Sequence, residues 1–267
     1  MNTFNNLYDR VNYSIGLPYI SNIITEYDLQ KANISALKYY NIIDDNQYNK
    51  YLKIPKQTRE VEIGLMIKKN PEIYNYIKNG IHKAKELFFK INNIKDNEVV
   101  SIKNDAIFLT GSRSIQCNIN NSFIFIPKNT YTFYMKTIYN MEIYYSYNQI
   151  SNSESIDVKG IKNSKLEYHR NYMINFICTI LYMIQTCTIE DTLKYYNNFY
   201  NDFITLKLPV EYYREFNSIS KFKINDYLVD NIQEDAKKYL NINNNITLLR
   251  DIFSILSDIY FSKSNKR

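Results

Sequence analysis

Val99-Val100-Ser101-Ile102-Lys103-Asn104-Asp105-Ala106-Ile107-Phe108-Leu109 holds two apolar runs around a Lys-Asn-Asp break. The runs are short and mostly β-branched or aromatic, and Asn-Asp favours a turn. The stretch therefore predicts a β-hairpin with a carboxylate near its tip. A second aspartate, Asp28 in Glu26-Tyr27-Asp28-Leu29-Gln30-Lys31-Ala32-Asn33-Ile34-Ser35, follows a short apolar stretch and opens a helix-like run. If the two elements lie side by side, Asp28 and Asp105 converge. Converging carboxylate oxygens suit Mg²⁺, or Mn²⁺ in its place, because such a cation takes few protein ligands and the phosphates of a substrate. Each aspartate also has a plainer reading. Asp28 is placed to cap a helix starting at Leu29, and Asp105 is ordinary turn chemistry. An acidic tip on a buried hairpin must still face solvent, a metal or a cation. Lys103 is one such cation, sharing a face with Asp105 unless a turn separates them.

Around these two motifs the chain of 267 residues is long enough for one large domain or two small ones. Asn, Ile, Tyr and Lys dominate, Gly and Pro are scarce and Trp is absent. That composition is the imprint of an AT-rich genome, as in a phage, a large DNA virus or an AT-rich bacterium. A net charge of +6 is spread along the chain. It suits an acidic polymer partner, but on charge alone a solvated lysine-rich surface is the preferred account. Cys117, Cys178 and Cys187 are too few and too far apart for a disulfide framework or a zinc site. They fit free thiols in a reducing, intracellular compartment. The N-terminus lacks the basic and apolar regions of a signal peptide. The most apolar stretch, Tyr172 to Ile184, is broken by Asn175 and too short to span a bilayer. The expectation is a cytoplasmic protein, in the host cell if viral, with no membrane partner.

Residues 47–93 read as helices punctuated by Pro55 and Asn70-Pro71. Ile73, Ile77, Ile81, Ala84 and Phe88 form an apolar stripe spaced by three and four. Pro71 is well placed to open that helix, and Asp44-Asp45-Asn46 is a loop or cap. Residues 98–161 turn to Val, Ile, Phe, Tyr and Thr in short runs broken by turn residues, a β-meander. Residues 165–207 are helical in two segments, with Thr188 and Asp191 as a variant capping box for the second. Residues 211–223 are irregular, 230–261 helical, and a short basic tail follows. The class is α+β, with both aspartates in the sheet part.

In this order the motifs resemble the palm and thumb of family B DNA polymerases. That family's motif A reads D-x-x-S-L-Y-P-S, and Asp28 and Ser35 hold its first and last positions. Its motif C reads Y-G-D-T-D-S-I-F, and Asp105, Ile107 and Phe108 match its second half. A strand region with Glu142-Ile143-Tyr144-Tyr145 and then Val158-Lys159-Gly160-Ile161 is similar to the family's K-x-Y and V-K-G-I segments. The likeness covers residues 20–215. Lys103 stands at the first motif C aspartate, Asn33 stands where a tyrosine lies under the incoming sugar, and motif B is absent.

The resemblance implies a polymerase-like palm with an antiparallel sheet over residues 1–164, a helical fingers-like insertion at 41–93, and a helical thumb-like domain at 165–267. It implies nucleotidyl transfer to a DNA primer-template from deoxynucleoside triphosphates. Asp28 and Asp105 would hold Mg²⁺ or Mn²⁺, and Lys56, Arg59 and Asn33 would bind the nucleotide. Lys103 and Lys159 would contact nucleic acid, and a second polymerase or replisome subunit would complete the enzyme. Lys103 and the missing motif B open a second possibility, a polymerase-derived accessory subunit that binds nucleic acid without chemistry. A third is a phage or viral structural or interaction protein. Most of the 27 tyrosines are packing or composition, and His82 and His169 have no partner pattern for catalysis.

Overall fold

A computed structural model describes residues 6–137, 141–160, 170–213 and 242–264. In chain order the elements are β1 (Asn12–Ser14), β2 (Tyr19–Ile20), β3 (Ile24–Leu29), α1 (Ala32–Tyr39), α2 (Asp45–Lys53), α3 (Lys56–Lys69) and α4 (Glu72–Ile91). There follow β4 (Val99–Lys103), β5 (Ala106–Thr110), β6 (Phe125–Tyr131), β7 (Phe133–Lys136), β8 (Glu142–Asn148) and β9 (Ser153–Lys159), then α5 (Asn175–Thr186), α6 (Ile189–Ile204) and α7 (Ile242–Ser264). The fold is α+β. The chain separates into two compact units, residues 1–16 with 22–130 and residues 17–21 with 131–267. The boundary expected at 164/165, His169, the irregular stretch beyond 213 and the helix start at 230 lie outside the described residues.

The first unit is built on a five-stranded sheet in the order β1-β4-β5-β3-β6. Strand alternation decides its two faces. Tyr27, Ile102 and Ile107 lie in one cross-strand row and join the core under α4. The Tyr27 ring packs on Phe88, and Phe88 on Phe125. The α4 stripe supplies Ile77, Ile81 and Ala84 to the same core, as its three-and-four spacing predicts. Pro71 stands one residue before that helix, at its cap. Gly80 lets α1 approach α4 closely, since a Cβ there would collide with Ala36.

Short polar signals set the helix starts. Asp44 accepts from the Gln47 backbone N–H at 2.7 Å, and the Gln47 side chain accepts from the Asp44 N–H at 3.0 Å. This capping box starts α2. At α1 the cap is Lys31 in the left-handed region, φ 49°, with no side-chain cap. The helix therefore begins at Ala32 and not at Leu29, so Asp28 is a strand residue and not its N-cap.

The second unit is a four-stranded sheet, β2-β7-β8-β9, with α5, α6 and α7. Phe133, Met135, Ile143 and Tyr145 alternate onto one face and pack with Phe176, Ile177 and Ile180 of α5. Phe176 stacks on Phe199 of α6 at 3.7 Å between ring centres. The buried Tyr196 hydroxyl donates to the Leu249 carbonyl at 2.7 Å, tying α6 to α7. Thr188 caps α6 by accepting from the Asp191 N–H at 3.1 Å. Among the described residues no helix is long and apolar enough to cross a membrane.

Candidate functional site

The predicted hairpin is β4 and β5, joined at Asn104-Asp105. Asn104 is left-handed, φ 54°, a conformation asparagine tolerates in turns. Lys103 pairs with Ala106 across it. The turn therefore lies between Lys103 and Asp105, and the two do not share a strand face. β3 runs antiparallel beside β5, with Asp28 opposite Ala106, and the Leu29 N–H donates to the Asp105 carbonyl at 3.1 Å. The two aspartates thus sit on neighbouring elements at one end of one sheet, where strands are spaced about 4.8 Å apart.

Since Tyr27 and Leu29 point into the helix-covered core, Asp28 points to the opposite face. That face carries the row Asn12, Lys103, Ala106, Asp28. Lys103 is thus aligned with Asp28 rather than Asp105, with only the small Ala106 between them. The next row includes Ser101, Phe108 and Glu26. Glu26 is a carboxylate that the sequence reading missed, although its spacing of two from Asp28 on a strand was the signal. It is buried, accepts from the Asn129 amide at 2.9 Å and pairs with Lys128 at 3.7 Å.

Burial pushes the Asp105 carboxyl above the ordinary aspartate range. Its own backbone N–H and the ammonium groups of Lys56, Lys128 and Lys85 act in the other direction. Three elements, α3, β6 and α4, therefore direct positive charge at one carboxylate. Of these lysines only Lys56 was a candidate from the sequence. It is exposed and pairs with Glu60 at 3.7 Å. Lys85 is only 3% exposed. Its ammonium donates to the Arg10 carbonyl at 2.6 Å, and burial lowers its pKa to about 8 despite Asp105 and Asp9 nearby.

The other candidates scatter. Arg59 turns its guanidinium to the carbonyls of Tyr51 and Ile54, at 3.3 and 3.4 Å. With Lys31, which donates to the Leu52 carbonyl at 3.0 Å, it holds the C-terminal end of α2, where carbonyls lack helical partners. Asn33 opens α1 and lines a cleft with Lys85 and Asn104. Lys159 belongs to the second unit, opposite Glu142 and paired with Asp157 at 2.6 Å. A larger cleft between the end of α1, the start of α2 and residues 118–124 contains none of the candidates.

Among the described residues no group of three or more His, Cys, Asp or Glu side chains is arranged to hold a metal. A cation at Asp28 and Asp105 would have two protein carboxylates and would take its remaining ligands from water and substrate. Two carboxylates is a number that magnesium accepts, since it keeps several waters and uses one or two.

No curated protein matches this chain significantly. The family described as Bacteriophage PBS1 gene 130 protein matches residues 1–258. That match covers nearly the whole chain, which therefore belongs to the bacteriophage PBS1 gene 130 protein family and is a phage protein.

Proposed function

We propose that this phage protein is a palm-like nucleotidyl-transfer module acting on a DNA primer-template, with deoxynucleoside triphosphates as the second substrate. The observation that carries the reading is the register: Asp28 lies opposite Ala106, and Leu29 is hydrogen-bonded to Asp105. Two carboxylates far apart in sequence are thereby held at one end of a helix-backed sheet. Magnesium or manganese bound to them would supply Lewis acidity and activate a hydroxyl nucleophile. Lys56 and Lys128 supply positive charge on the Asp105 side, suited to the phosphates of an incoming nucleotide. Because Arg59 is engaged with α2, a partner subunit would supply the remaining triphosphate contacts. Lys159 would add salt-dependent contact with the nucleic-acid backbone.

Primer extension by the full chain with Mg²⁺ or Mn²⁺ and all four nucleotides tests this, beside the Asp28→Asn/Asp105→Asn double variant. Extension that disappears in the variant supports the reading. A wild type that binds primer-template but never extends it, even with a host or phage replication extract added, removes it.

One observation favours a second reading, an accessory subunit that binds nucleic acid without chemistry. Lys103 occupies the same cross-strand row as Asp28, so its ammonium is positioned to take a cation's place. Under that reading, DNA binding survives the double variant with its salt dependence unchanged. Lys103→Ala then weakens binding without creating extension.

A further inference from the structure

Beside the β4–β5 turn, the first unit holds a cleft of about 500 Å³ whose lining includes Asp9, Asn33, Lys78, His82, Lys85 and Asn104. Asp28 and Asp105 are not part of its wall. Two hydrogen bonds pin the side formed by residues 10 and 11. The Lys85 ammonium donates to the Arg10 carbonyl at 2.6 Å, and the Asn104 N–H donates to the Val11 carbonyl at 2.7 Å. That side of the cleft is therefore backbone tied to both α4 and the β4–β5 turn.

Lys85 is the unusual residue. It follows Ala84 on the buried side of α4 and is 3% exposed, a position where an apolar side chain would pack without desolvating a charge. An ammonium has three N–H donors. The Arg10 carbonyl is the hydrogen-bond acceptor it has among the described residues. The strut to Arg10 accounts for one donor, and Asp105 and Asp9 act on the charge from nearby, which leaves two N–H donors for a ligand.

The rest of the wall sets donors beside the apolar Val11, Ile77 and Ile81 and the ring of Tyr74. Lys78 adds a second ammonium, and Asn33, Asn79 and Asn104 are residues with amide N–H groups. The one carboxylate in the wall, Asp9, faces the His82 Nε2 at 3.5 Å. A ligand with concentrated negative charge and several acceptor oxygens matches this set better than a neutral or singly charged one.

We infer that this cleft is an anion site that takes a phosphoryl group, with Lys85 as its central cation and Lys78 and the flanking asparagines as further donors. The site needs no metal, and Asp105, although it acts on Lys85, does not line the cleft. The phosphoryl group is free phosphate or the phosphate end of a small nucleotide.

Isothermal titration of the full chain in EDTA, with pyrophosphate and separately with ATP, tests the inference. Chelation removes any contribution from a cation at Asp28 and Asp105, so failure here and failure of the transferase reading are distinct. One-to-one binding is expected, weakened roughly tenfold by Lys85→Met and about threefold by Lys78→Gln. Exposed Lys50 of α2 provides the charge control, and Lys50→Gln binds as the wild type does. ATP binding more tightly than pyrophosphate identifies a nucleotide site, and equal affinity identifies a site for the phosphoryl group alone. If Lys85→Met does not fold, Lys78→Gln and Asn33→Ala decide. No binding of either probe overturns the inference, as does binding that Lys50→Gln weakens as much as the cleft variants do.

Discussion

The two sheets solve the same problem in different ways. Each buries one face under helices and puts polar groups on the other. In the second sheet the acids are matched by partners on the same sheet. Glu142 lies in register between Lys136 and Lys159 and accepts from the Tyr144 hydroxyl at 2.7 Å. Asp157 pairs with Lys159 of the same strand at 2.6 Å. In the first sheet Glu26 is matched in the same way by Asn129 and Lys128 of β6, but Asp105 is held at a turn, and the lysines that act on it come from α3, α4 and β6. A carboxylate satisfied by its own strand rows is a structural device. One held up by burial and balanced by surrounding cations responds to whatever charge enters. The polar face of the second sheet is framework on this view, and the hairpin end of the first is where the proposed ligand would enter.

The largest expected effect tests the framework side. Glu142→Ala leaves the buried Tyr144 hydroxyl without its acceptor and two cross-strand lysines without the charge between them. Stability should fall by about 3 kcal/mol or more, read as a shift in the urea midpoint at constant slope. Glu142→Gln, which keeps an acceptor, should recover part of that loss. A fall of less than about 1 kcal/mol would mean that the row is not holding the sheet.

The next effect belongs to the first unit and depends on pH. The Lys85 pKa is lowered from 10.5 to about 8 by burial. Where pH lies between these values the unfolded chain binds more protons than the folded one, so stability rises with pH. The penalty for burying the ammonium is full below about pH 8 and is relieved on the way to 10.5. From about pH 7.5 to about pH 9.5 this group alone should add about 2 kcal/mol. Lys85→Met should flatten that rise, while losing the hydrogen bond to Arg10. An unchanged slope in the variant would show that the ammonium is not buried in solution.

The two helix caps carry about 1 kcal/mol each, and they should report differently. Thr188 starts α6, which buries Ile189, Thr192, Tyr196 and Phe203. Thr188→Ala should therefore lower the stability of the second unit. Asp44 starts α2, which has no fully buried residue. Asp44→Ala should mainly speed amide exchange of residues 45–53, leaving the global midpoint nearly unchanged. A global loss from Asp44→Ala would show that α2 is integral to the first unit.

How much of this was legible in the sequence depends on how local the signal was. The hairpin was legible because its two apolar runs and turn residues are contiguous. The α4 stripe and the Thr188 cap were legible for the same reason. Asp28 was ambiguous, because strand and helix meet within three residues and only the left-handed Lys31 separates them. Lys85 and Lys128 were not legible as neighbours of Asp105, because register and helix packing bring them there. A lysine beside an apolar stripe reads as solvent-facing until the fold buries it. Nor could the sequence reveal that Tyr19 and Ile20 pair with β7, a contact that spans more than a hundred residues. The resemblance assigned Arg59 to a triphosphate, and local sequence did not reveal that its guanidinium lies against the carbonyls at the end of α2.

The smallest effect tests the comparison most directly, because it reverses the sign seen at Glu142. Burial raises the Asp105 pKa above its ordinary value, so the folded state disfavours the carboxylate. In the window above 3.8 the folded chain binds more protons than the unfolded one. Stability contributed by this group therefore falls as pH rises through the folded pKa, and a cost remains at neutral pH. Asp105→Asn removes that cost. It should raise stability near pH 7 and flatten the acid limb of the pH profile. The same substitution should abolish extension if the transferase reading holds. A gain in stability joined to a loss of activity is what a residue kept for a ligand predicts. A loss of stability comparable to that of Glu142→Ala would place Asp105 with the framework, and the two sheets would no longer differ in kind.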